Sequence, residues 1–246
     1  MCTVTIISGG AGQSGVVRVV CNRDESRSRP PAMPPKWREI EGSPGARAIW
    51  PMDLEAGGTW IAAADSGLVL CLLNVNPEPP PRLPRSGLES RGLVIPSLIG
   101  LRSPQAVVRR LTQTSLKRFA PFRLLAMLGS RAGADVAELR WDRSTLNVAW
   151  RSGAAACFVS SGLGDSLAAP RLDLFDEMVA SPGPTPDRQD EFHRHQWPDR
   201  PEISVLMARA DARTVSITTL EVDPTRRNAP ITMAYEPVPA TQAAVR

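Results

Sequence analysis

Apolar, β-branched runs separated by short glycine-containing breaks dominate the first third of the chain. Residues 3–8 form one such run and residues 16–21 another, with three glycines in the four residues after the first run. This pattern predicts a β-hairpin. A second hairpin is predicted for residues 57–64 and 68–74, because Asp65-Ser66-Gly67 between them has the composition of a tight turn.

The rest of the chain mixes helical and strand-like patterns. Ser103 followed by Pro104 is typical of a helix start, with a capping residue and proline in the first turn. The polar, proline-rich segment 22–45 predicts a long irregular connection. Helices are predicted at 90–101, 105–114, 172–179 and 188–196, and strands at 122–128, 136–141, 146–150, 155–160, 203–208, 214–222 and 231–235.

Tight hairpins without a repeating strand–helix–strand rhythm predict an α+β fold. Its sheets are expected to be mainly antiparallel, with helices outside them. No segment has the composition of a clear linker, so we predict a single domain over residues 1–246.

Composition narrows the classes of function. The formal net charge is +4, but the basic residues are scattered and nearly all arginine, with few aromatic residues between them. This arrangement does not predict a nucleic-acid partner. The chain has no run of 18 apolar residues and no signal-peptide pattern, so we expect a cytoplasmic protein without a membrane span. No sequence feature fixes the oligomeric state.

Cys2 is the first candidate for chemistry. Aminopeptidases remove Met1 readily when the second side chain is small, which would leave a free α-amine on Cys2. An α-amine has a pKa of about 7.7–8.0 and a thiol about 8.5, so one residue would carry both a nucleophile and a base. The alternative is that cysteine occupies position 2 by chance.

The other cysteines and the two histidines are weaker candidates for a catalytic or metal-binding role. Cys21, Cys71 and Cys157 lie inside apolar strand-like runs, as expected for buried free thiols in a reducing compartment. His193 and His195 are two residues apart, without the acidic or thiol residues that would complete a metal site. We therefore predict no metal and no cofactor, and a nucleophile that needs no imidazole.

A polar cluster, Asn22-Arg23-Asp24-Glu25, directly follows the apolar run 16–21. If that run pairs with residues 3–8, the cluster lies beside Cys2. Asp24 would then bind the α-amine, and Arg23 would lower the thiol pKa. The alternative is a solvated turn.

Three further segments are candidates. Gly57-Gly58-Thr59-Trp60 opens a strand, where glycines permit either a close approach or a bulge. Asn74 ends the next strand, and its amide would either donate to an oxyanion or form a turn. Ser90-Arg91-Gly92 would either contribute to a site or begin a helix.

Together these motifs resemble the NRDE family, which includes transport and Golgi organisation 2-like proteins. Their order and spacing agree over roughly the first hundred residues, whereas the second half agrees only in its strand pattern. The residues that carry the resemblance are Met1–Val4, Asn22–Glu25, Arg29-Pro30, Trp37, Asp53–Trp60, Leu73-Asn74 and Ser90–Val94.

The resemblance implies an N-terminal-nucleophile hydrolase-like fold, a four-layer αββα sandwich of two antiparallel sheets. It also implies a distant similarity to choloylglycine hydrolases and penicillin V acylases, which cleave linear amides with an N-terminal cysteine. In that pattern Cys2 is the nucleophile, Asp24 binds its amine and Asn74 donates to the oxyanion. Supporting roles are expected for Asn22, Arg23, Glu25, Gly58, Thr59, Trp60 and Arg91.

Two positions depart from the acylase pattern. Cys21 stands where an arginine is expected, so Arg23 or Arg18 would supply that charge. The segment 158–162, where a second oxyanion asparagine is expected, offers only Ser160 and Ser161.

The predicted function is a hydrolase or acyltransferase acting on a linear amide or acyl conjugate, with a small-molecule substrate. The alternative is a non-catalytic protein on the same fold that carries haem or acyl lipids.

Overall fold

The computed structural model describes residues 2–9, 15–79, 87–130, 133–226 and 230–240. Within these ranges the chain forms twelve strands: β1 Cys2–Ser8, β2 Val17–Ser26, β3 Met33–Glu39, β4 Arg47–Met52, β5 Ile61–Ala64, β6 Leu68–Asn74, β7 Phe122–Ser130, β8 Gly133–Trp141, β9 Leu146–Arg151, β10 Ala155–Ser160, β11 Ala212–Val222 and β12 Ile231–Pro237.

Helices are fewer and shorter than the strands. The α-helices among the described residues are α1 Pro104–Thr112, α2 Pro170–Phe175 and α3 Pro186–Arg194. A π-helical segment, Asp176–Ala180, continues α2, and single 3₁₀ turns occur at Arg91–Leu93, Asp165–Ala168 and Pro201–Ile203.

The strands form two antiparallel sheets. Sheet A has the order β10-β1-β2-β11-β12, and sheet B has the order β3-β4-β5-β6-β7-β8-β9. The predicted hairpins are present as β1–β2 and β5–β6. Because β1 is an inner strand, it is hydrogen-bonded to β10 on one side and to β2 on the other.

Three apolar cores lie between four layers. Alternate residues of both sheets, such as Val4 and Leu125, meet in the central core. The outer face of sheet B packs on α1 through Val107. The outer face of sheet A packs on α2 and α3, where Ile7 lies in one cluster with Phe192. The predicted αββα sandwich is therefore confirmed.

Three local predictions were wrong. Segment 22–45 is not irregular, because β2 continues to Ser26 and β3 occupies part of the remainder. Residues 90–101 form a single 3₁₀ turn and further turns instead of an α-helix, since Pro96 removes an N–H donor there. Residues 203–208 contribute only the isolated bridge of Ala208 to Arg213.

Some predicted features cannot be compared. Residues 10–14 of the predicted glycine-rich loop lie outside the described residues, as do residues 80–86. Among the described helices, none is long and apolar enough to cross a membrane.

Candidate active site

The register of sheet A places Cys2 between two strands. It pairs with Arg23 of β2 on one side and with Ser160 of β10 on the other. A cavity of about 300 Å³ opens at this edge of the sheet. Most of the predicted site residues line it, namely Cys2, Arg23, Asp24, Glu25, Gly58, Thr59, Trp60, Asn74 and Arg91.

Cys2 is almost fully buried, with 6% of its surface exposed. Its backbone nitrogen donates to Ser160 Oγ at 3.1 Å. Its side chain belongs to the central core, together with the thiols of Cys21 and Cys71.

The three neighbouring thiols differ in acidity. The pKa of the Cys2 thiol is lowered by a hydrogen bond from the Cys21 thiol and also by the Arg23 cation, against the opposing effect of burial. The pKa of Cys21 is raised, because it donates that hydrogen bond and is buried. Burial raises the pKa of Cys71 as well. Of these three, Cys2 is therefore the thiol that ionises most easily.

Asp24 is held from the outer side of sheet A. Its Oδ1 accepts a hydrogen bond from Thr214 Oγ1 at 2.6 Å, and its Oδ2 lies 3.6 Å from Arg171 Nη1. Arg171 is only 1% exposed and also donates to Thr3 Oγ1 at 2.8 Å. Because a buried charge requires partners, this arrangement fixes the Asp24 carboxylate on the outer side of sheet A, while the residue also lines the cavity.

The Asp53 carboxylate binds two arginine side chains that line the cavity. Arg23 Nη2 donates to Asp53 Oδ2, and Arg29 donates to both carboxylate oxygens at 3.0 Å. The Arg23 guanidinium also lies 4.3 Å from the centroid of the Trp60 ring. Arg23 is thereby held by a carboxylate and an aromatic face beside Cys2.

The Asp53 carboxylate also stabilises the turn that follows it. Oδ1 accepts from the backbone N–H groups of Glu55 and Ala56 at 3.0 and 2.9 Å. Burial would raise the pKa of Asp53, but the hydrogen bonds from Arg29 and Ala56 and the two arginine charges hold that pKa below its ordinary value. We expect Asp53 to be ionised at neutral pH.

A close backbone contact joins two of the predicted segments. A Cβ on Gly58 would lie 2.4 Å from the carbonyl carbon of Gly92, and Thr59 N donates to Gly92 O at 3.0 Å. The close approach therefore requires glycine at position 58. It also fixes the neighbouring Arg91 at the cavity.

Arg91 differs from the other arginines of the cavity. Its Nη1 donates to Pro121 O at 3.0 Å, and among the described residues no carboxylate forms an ion pair with it. Burial lowers its pKa. Its charge is therefore available to a ligand.

Asn74 is the last residue of β6 and is half-buried. It pairs through its backbone with Phe122 of β7 and lines the same cavity as Cys2. The predicted nucleophile and the predicted oxyanion donor thus belong to one cavity, although they come from different sheets.

Arg18 and Asn22 do not line this cavity. Arg18 binds Asp190 through Nη2 at 2.8 and 2.9 Å and Gln189 through Nη1 at 2.7 Å. The expectation that Arg18 would supply a charge beside Cys2 is wrong, because its side chain lies on the face of β2 that packs against α3. Arg23, which was the other candidate, lies beside Cys2.

Asn22 belongs to a buried network around His193. Its Nδ2 donates to the carbonyls of His193 and Val205, both at 2.9 Å, and its Oδ1 lies 2.8 Å from His193 Nδ1. Thr5 Oγ1 accepts from Gln189 and lies 2.6 Å from His193 Nε2, so its hydroxyl proton is free to donate to that nitrogen. These partners select the neutral tautomer with its proton on Nδ1. Burial lowers the pKa of His193 well below its ordinary value.

Three residues of this region were missed by sequence reasoning. Asp53 lies within the motif 53–60 but was given no role, although an acid before a glycine-containing turn is a recognisable capping signal. Ser160 and Arg171 carry no local signal, since each reaches the site through contacts across more than 150 residues. Among the described residues, no three His, Cys, Asp or Glu side chains form a group that could hold a metal ion.

A family profile decides the classification. The profile described as Transport and Golgi organisation 2 matches residues 1–149. The chain belongs to this family. The matched range contains all the motifs that line the cavity, including those with Asn74 and Arg91. No curated relative matches the chain in sequence.

Solved structures show the fold of this Transport and Golgi organisation 2 member. The N-acylethanolamine-hydrolyzing acid amidase ortholog of Caenorhabditis elegans is similar with a TM-score of 0.57 at 12% identity, over 93% of this chain and 95% of the amidase chain. Two structures of conjugated bile acid hydrolase from Clostridium perfringens have a TM-score of 0.48 at 10% identity, over 95% of this chain and 92% of theirs. The fold is that of N-terminal-nucleophile hydrolases.

Proposed function

We propose that the protein is an N-terminal-nucleophile hydrolase or acyltransferase that uses Cys2 to cleave a linear amide or acyl conjugate. The observation that carries this proposal is the position of Cys2. Its thiol lines a cavity of about 300 Å³, between Arg23 and Ser160 and in the same cavity as Asn74. A nucleophile needs an ionisable thiol and a space for the carbonyl group, and both meet here.

The proposed reaction begins after removal of Met1. The α-amine of Cys2 takes the thiol proton, and Sγ attacks the substrate carbonyl carbon. Ser160 Oγ, which is bonded to this nitrogen, and the fixed Asp24 carboxylate orient the amine. The amine then returns the proton to the leaving nitrogen as the carbon–nitrogen bond breaks. Water, or an acceptor in acyl transfer, releases the acyl group from the thioester.

Asn74 is the proposed donor to the oxyanion. Its side chain comes from sheet B, opposite Cys2 on sheet A, so a carbonyl bound in the cavity would lie between the two. A donor held before the reaction stabilises the developing charge without reorganisation. Arg23 contributes a second positive charge, which Asp53 and Trp60 hold in place.

The test is turnover that depends on Cys2. A panel of amides and thioesters is incubated with wild type, Cys2→Ala and Cys157→Ala, and product formation is measured. Cys157 is a matched control because its thiol lies on the neighbouring strand of sheet A but outside the cavity, and burial raises its pKa. We expect turnover to disappear in Cys2→Ala only. Turnover that persists in Cys2→Ala would refute the proposal.

A non-catalytic carrier of haem or acyl lipids is the second candidate. Arg91 supports it, because it forms no ion pair with a carboxylate of the described residues and a bound anion would pair with its charge. If haem were bound in this cavity, Cys2 would be the residue to hold it, since His193 is hydrogen-bonded to Thr5 and Asn22. A haem titration with wild type and Cys2→Ala tests the haem case: a Soret shift lost in the variant favours a haem carrier, and no shift in wild type excludes haem.

We also propose a cytoplasmic location for the protein. The four described cysteines are free, which supports a reducing, cytoplasmic environment. A small-molecule amide or acyl compound is the proposed partner.

A further inference from the structure

Two thiols lie on neighbouring strands at one face of sheet A. Cys2 of β1 lies opposite Arg23 of β2. Cys21 precedes Arg23 by two residues, so its side chain points to the same face as that of Arg23. Both cysteines belong to the central core, which places their side chains on the inner face of the sheet. Cys2 and Cys21 are therefore diagonal neighbours across the β1–β2 hairpin.

The two thiols differ in access and in acidity. Cys2 lines the cavity, whereas Cys21 is fully buried and does not line it. The Cys21 thiol donates a hydrogen bond to the Cys2 sulfur, which lowers the pKa of Cys2 and raises that of Cys21. An acidic thiol that a small oxidant can reach, with a second thiol held against it, is the arrangement of a redox-sensitive cysteine pair.

The proposed hydrolysis gives Cys21 no role. This residue stands at the position where the acylase pattern has an arginine. Alanine or valine would also fill a small buried position in a strand, so what cysteine adds here is its reactivity. Its other polar contact is long, since Cys21 Sγ lies 3.8 Å from the carbonyl oxygen of Asn22.

We propose that Cys21 is a resolving thiol, and that a hydroperoxide entering the cavity converts Cys2 and Cys21 into a reversible disulfide. The disulfide blocks the Cys2 sulfur and protects it from irreversible oxidation. This proposal goes beyond the proposed function and does not depend on it, because the two thiols are adjacent whether or not Cys2 attacks a carbonyl group.

The two steps together reduce one hydrogen peroxide to two waters. In the first step the Cys2 thiolate attacks a peroxide oxygen, the O–O bond breaks, and the departing hydroxide takes up the thiol proton. Cys2 is then a sulfenic acid. In the second step Cys21 Sγ attacks Cys2 Sγ, the sulfur–oxygen bond breaks, and the hydroxide leaves with the Cys21 proton as water. A dithiol reductant that returns two electrons and two protons restores both thiols.

Formation of the bond requires a movement at the start of β1. The two sulfurs must come closer than a hydrogen bond holds them, so Cys2 shifts toward Cys21. Cys2 is the first residue of β1, and the shift therefore falls on the end of the strand. It also draws the Cys2 nitrogen away from Ser160 Oγ, its hydrogen-bond acceptor.

The experiment exposes the reduced full-length protein briefly to a small excess of hydrogen peroxide and then maps its thiols. Trypsin cleaves after Arg18, which separates Cys2 and Cys21 into different peptides. We expect these two peptides to be linked, the chain to be lighter by two hydrogens, and only two of the four thiols to be alkylated after denaturation. In the native protein, alkylation of Cys2 by iodoacetamide should slow at least tenfold, and dithiothreitol should restore its rate.

Cys21→Ala and Cys71→Ala are matched variants, because both thiols are fully buried in the central core with Cys2. In Cys21→Ala the same treatment should add oxygen to Cys2 and form sulfinic acid, which dithiothreitol does not reduce. Cys71→Ala should form the same linked peptides as the wild type.

The wild-type peptide map decides the question even if Cys21→Ala does not fold. A wild type in which Cys2 gains oxygen without becoming linked to Cys21 would overturn the proposal. So would a linkage of Cys2 to Cys71, or a loss of two hydrogens in Cys21→Ala equal to that of the wild type.

Discussion

Cys2 has a different neighbour on each side, and the two neighbours differ in how far they could be predicted. Arg23 is adjacent because β1 and β2 form a hairpin, and a hairpin is readable from a local pattern of apolar runs and glycines. Ser160 is adjacent because β10 returns to β1 after 158 residues. No local pattern specifies that pairing, so the hydroxyl that binds the Cys2 nitrogen could not be found from the sequence.

Asn74 provides the first test at the residue scale. If its amide donates to the oxyanion, Asn74→Ala should lower kcat by roughly 10²–10³-fold with little change in folding. Asn147→Ala is a control, because Asn147 is an exposed residue of β9 whose amide contacts only Thr145 among the described residues. An Asn74→Ala enzyme with the kcat of wild type would exclude this role.

His193 gives the second residue-scale prediction, on the pH dependence of stability. In the folded protein His193 stays neutral. In the unfolded chain it takes up a proton once the pH falls below the ordinary pKa of histidine. The unfolded state therefore binds more protons in acid, and stability should fall by about 1.4 kcal/mol from pH 7.5 to pH 5.5. Urea unfolding at the two pH values measures this loss.

The histidine variants identify the source of that loss. His193→Gln should remove most of the difference between the two pH values, and His195→Gln should retain it. Equal stability of the wild type at pH 7.5 and 5.5 would show that His193 titrates freely in the folded state.

At the scale of elements, the strand β2 explains which polar residues reach the cavity. Its residues alternate between faces, so the Arg23 side chain lies at the cavity while the side chains of Arg18, Asn22 and Asp24 are held on the outer side of sheet A. Four consecutive polar residues look like a turn in sequence. They continue as a strand here because β11 pairs with them, and because the buried Asn22, Arg23 and Asp24 have side-chain partners at Val205, Asp53 and Thr214.

The contact between the segments that contain Gly58 and Gly92 is the element-scale prediction. Gly58→Ala would push these two backbone segments apart, because the new Cβ would lie 2.4 Å from the Gly92 carbonyl carbon. We expect a loss of about 1–3 kcal/mol in the free energy of unfolding, as for other overpacked sites. Gly92→Ala should cost less, because its Cβ would meet its nearest neighbour, Thr59 N, at 3.2 Å. Urea denaturation that shows no loss for Gly58→Ala would contradict this contact.

At the scale of the whole molecule, the family resemblance predicted more of the fold than the periodicity of apolar residues did. Hairpins alone indicated antiparallel sheets, while the two-sheet sandwich followed from the motifs near Cys2. The order of sheet A, in which β10 and β11 flank the β1–β2 hairpin from distant parts of the chain, depends on long-range pairing. Such pairing is decided by how apolar faces fit together, which no short segment records.

The single-domain prediction is testable by unfolding. Residues of both sheets share the central core, so separating the sheets would expose apolar faces on each. We expect one transition in urea, with coincident midpoints for tryptophan fluorescence and far-ultraviolet circular dichroism. Trp60 reports on the central core and Trp141 on the outer core of sheet B. Two separated midpoints would indicate two independently folding units.

The central claim is that Cys2 is an activated N-terminal nucleophile. Its most direct test is mass spectrometry of the purified protein before and after a brief reaction with iodoacetamide near pH 7. The account predicts a chain that begins at Cys2 and is alkylated there faster than a free surface thiol, while Cys21 and Cys71 stay unmodified. A chain that retains Met1, or alkylation of Cys2 no faster than that of a surface thiol, would contradict it.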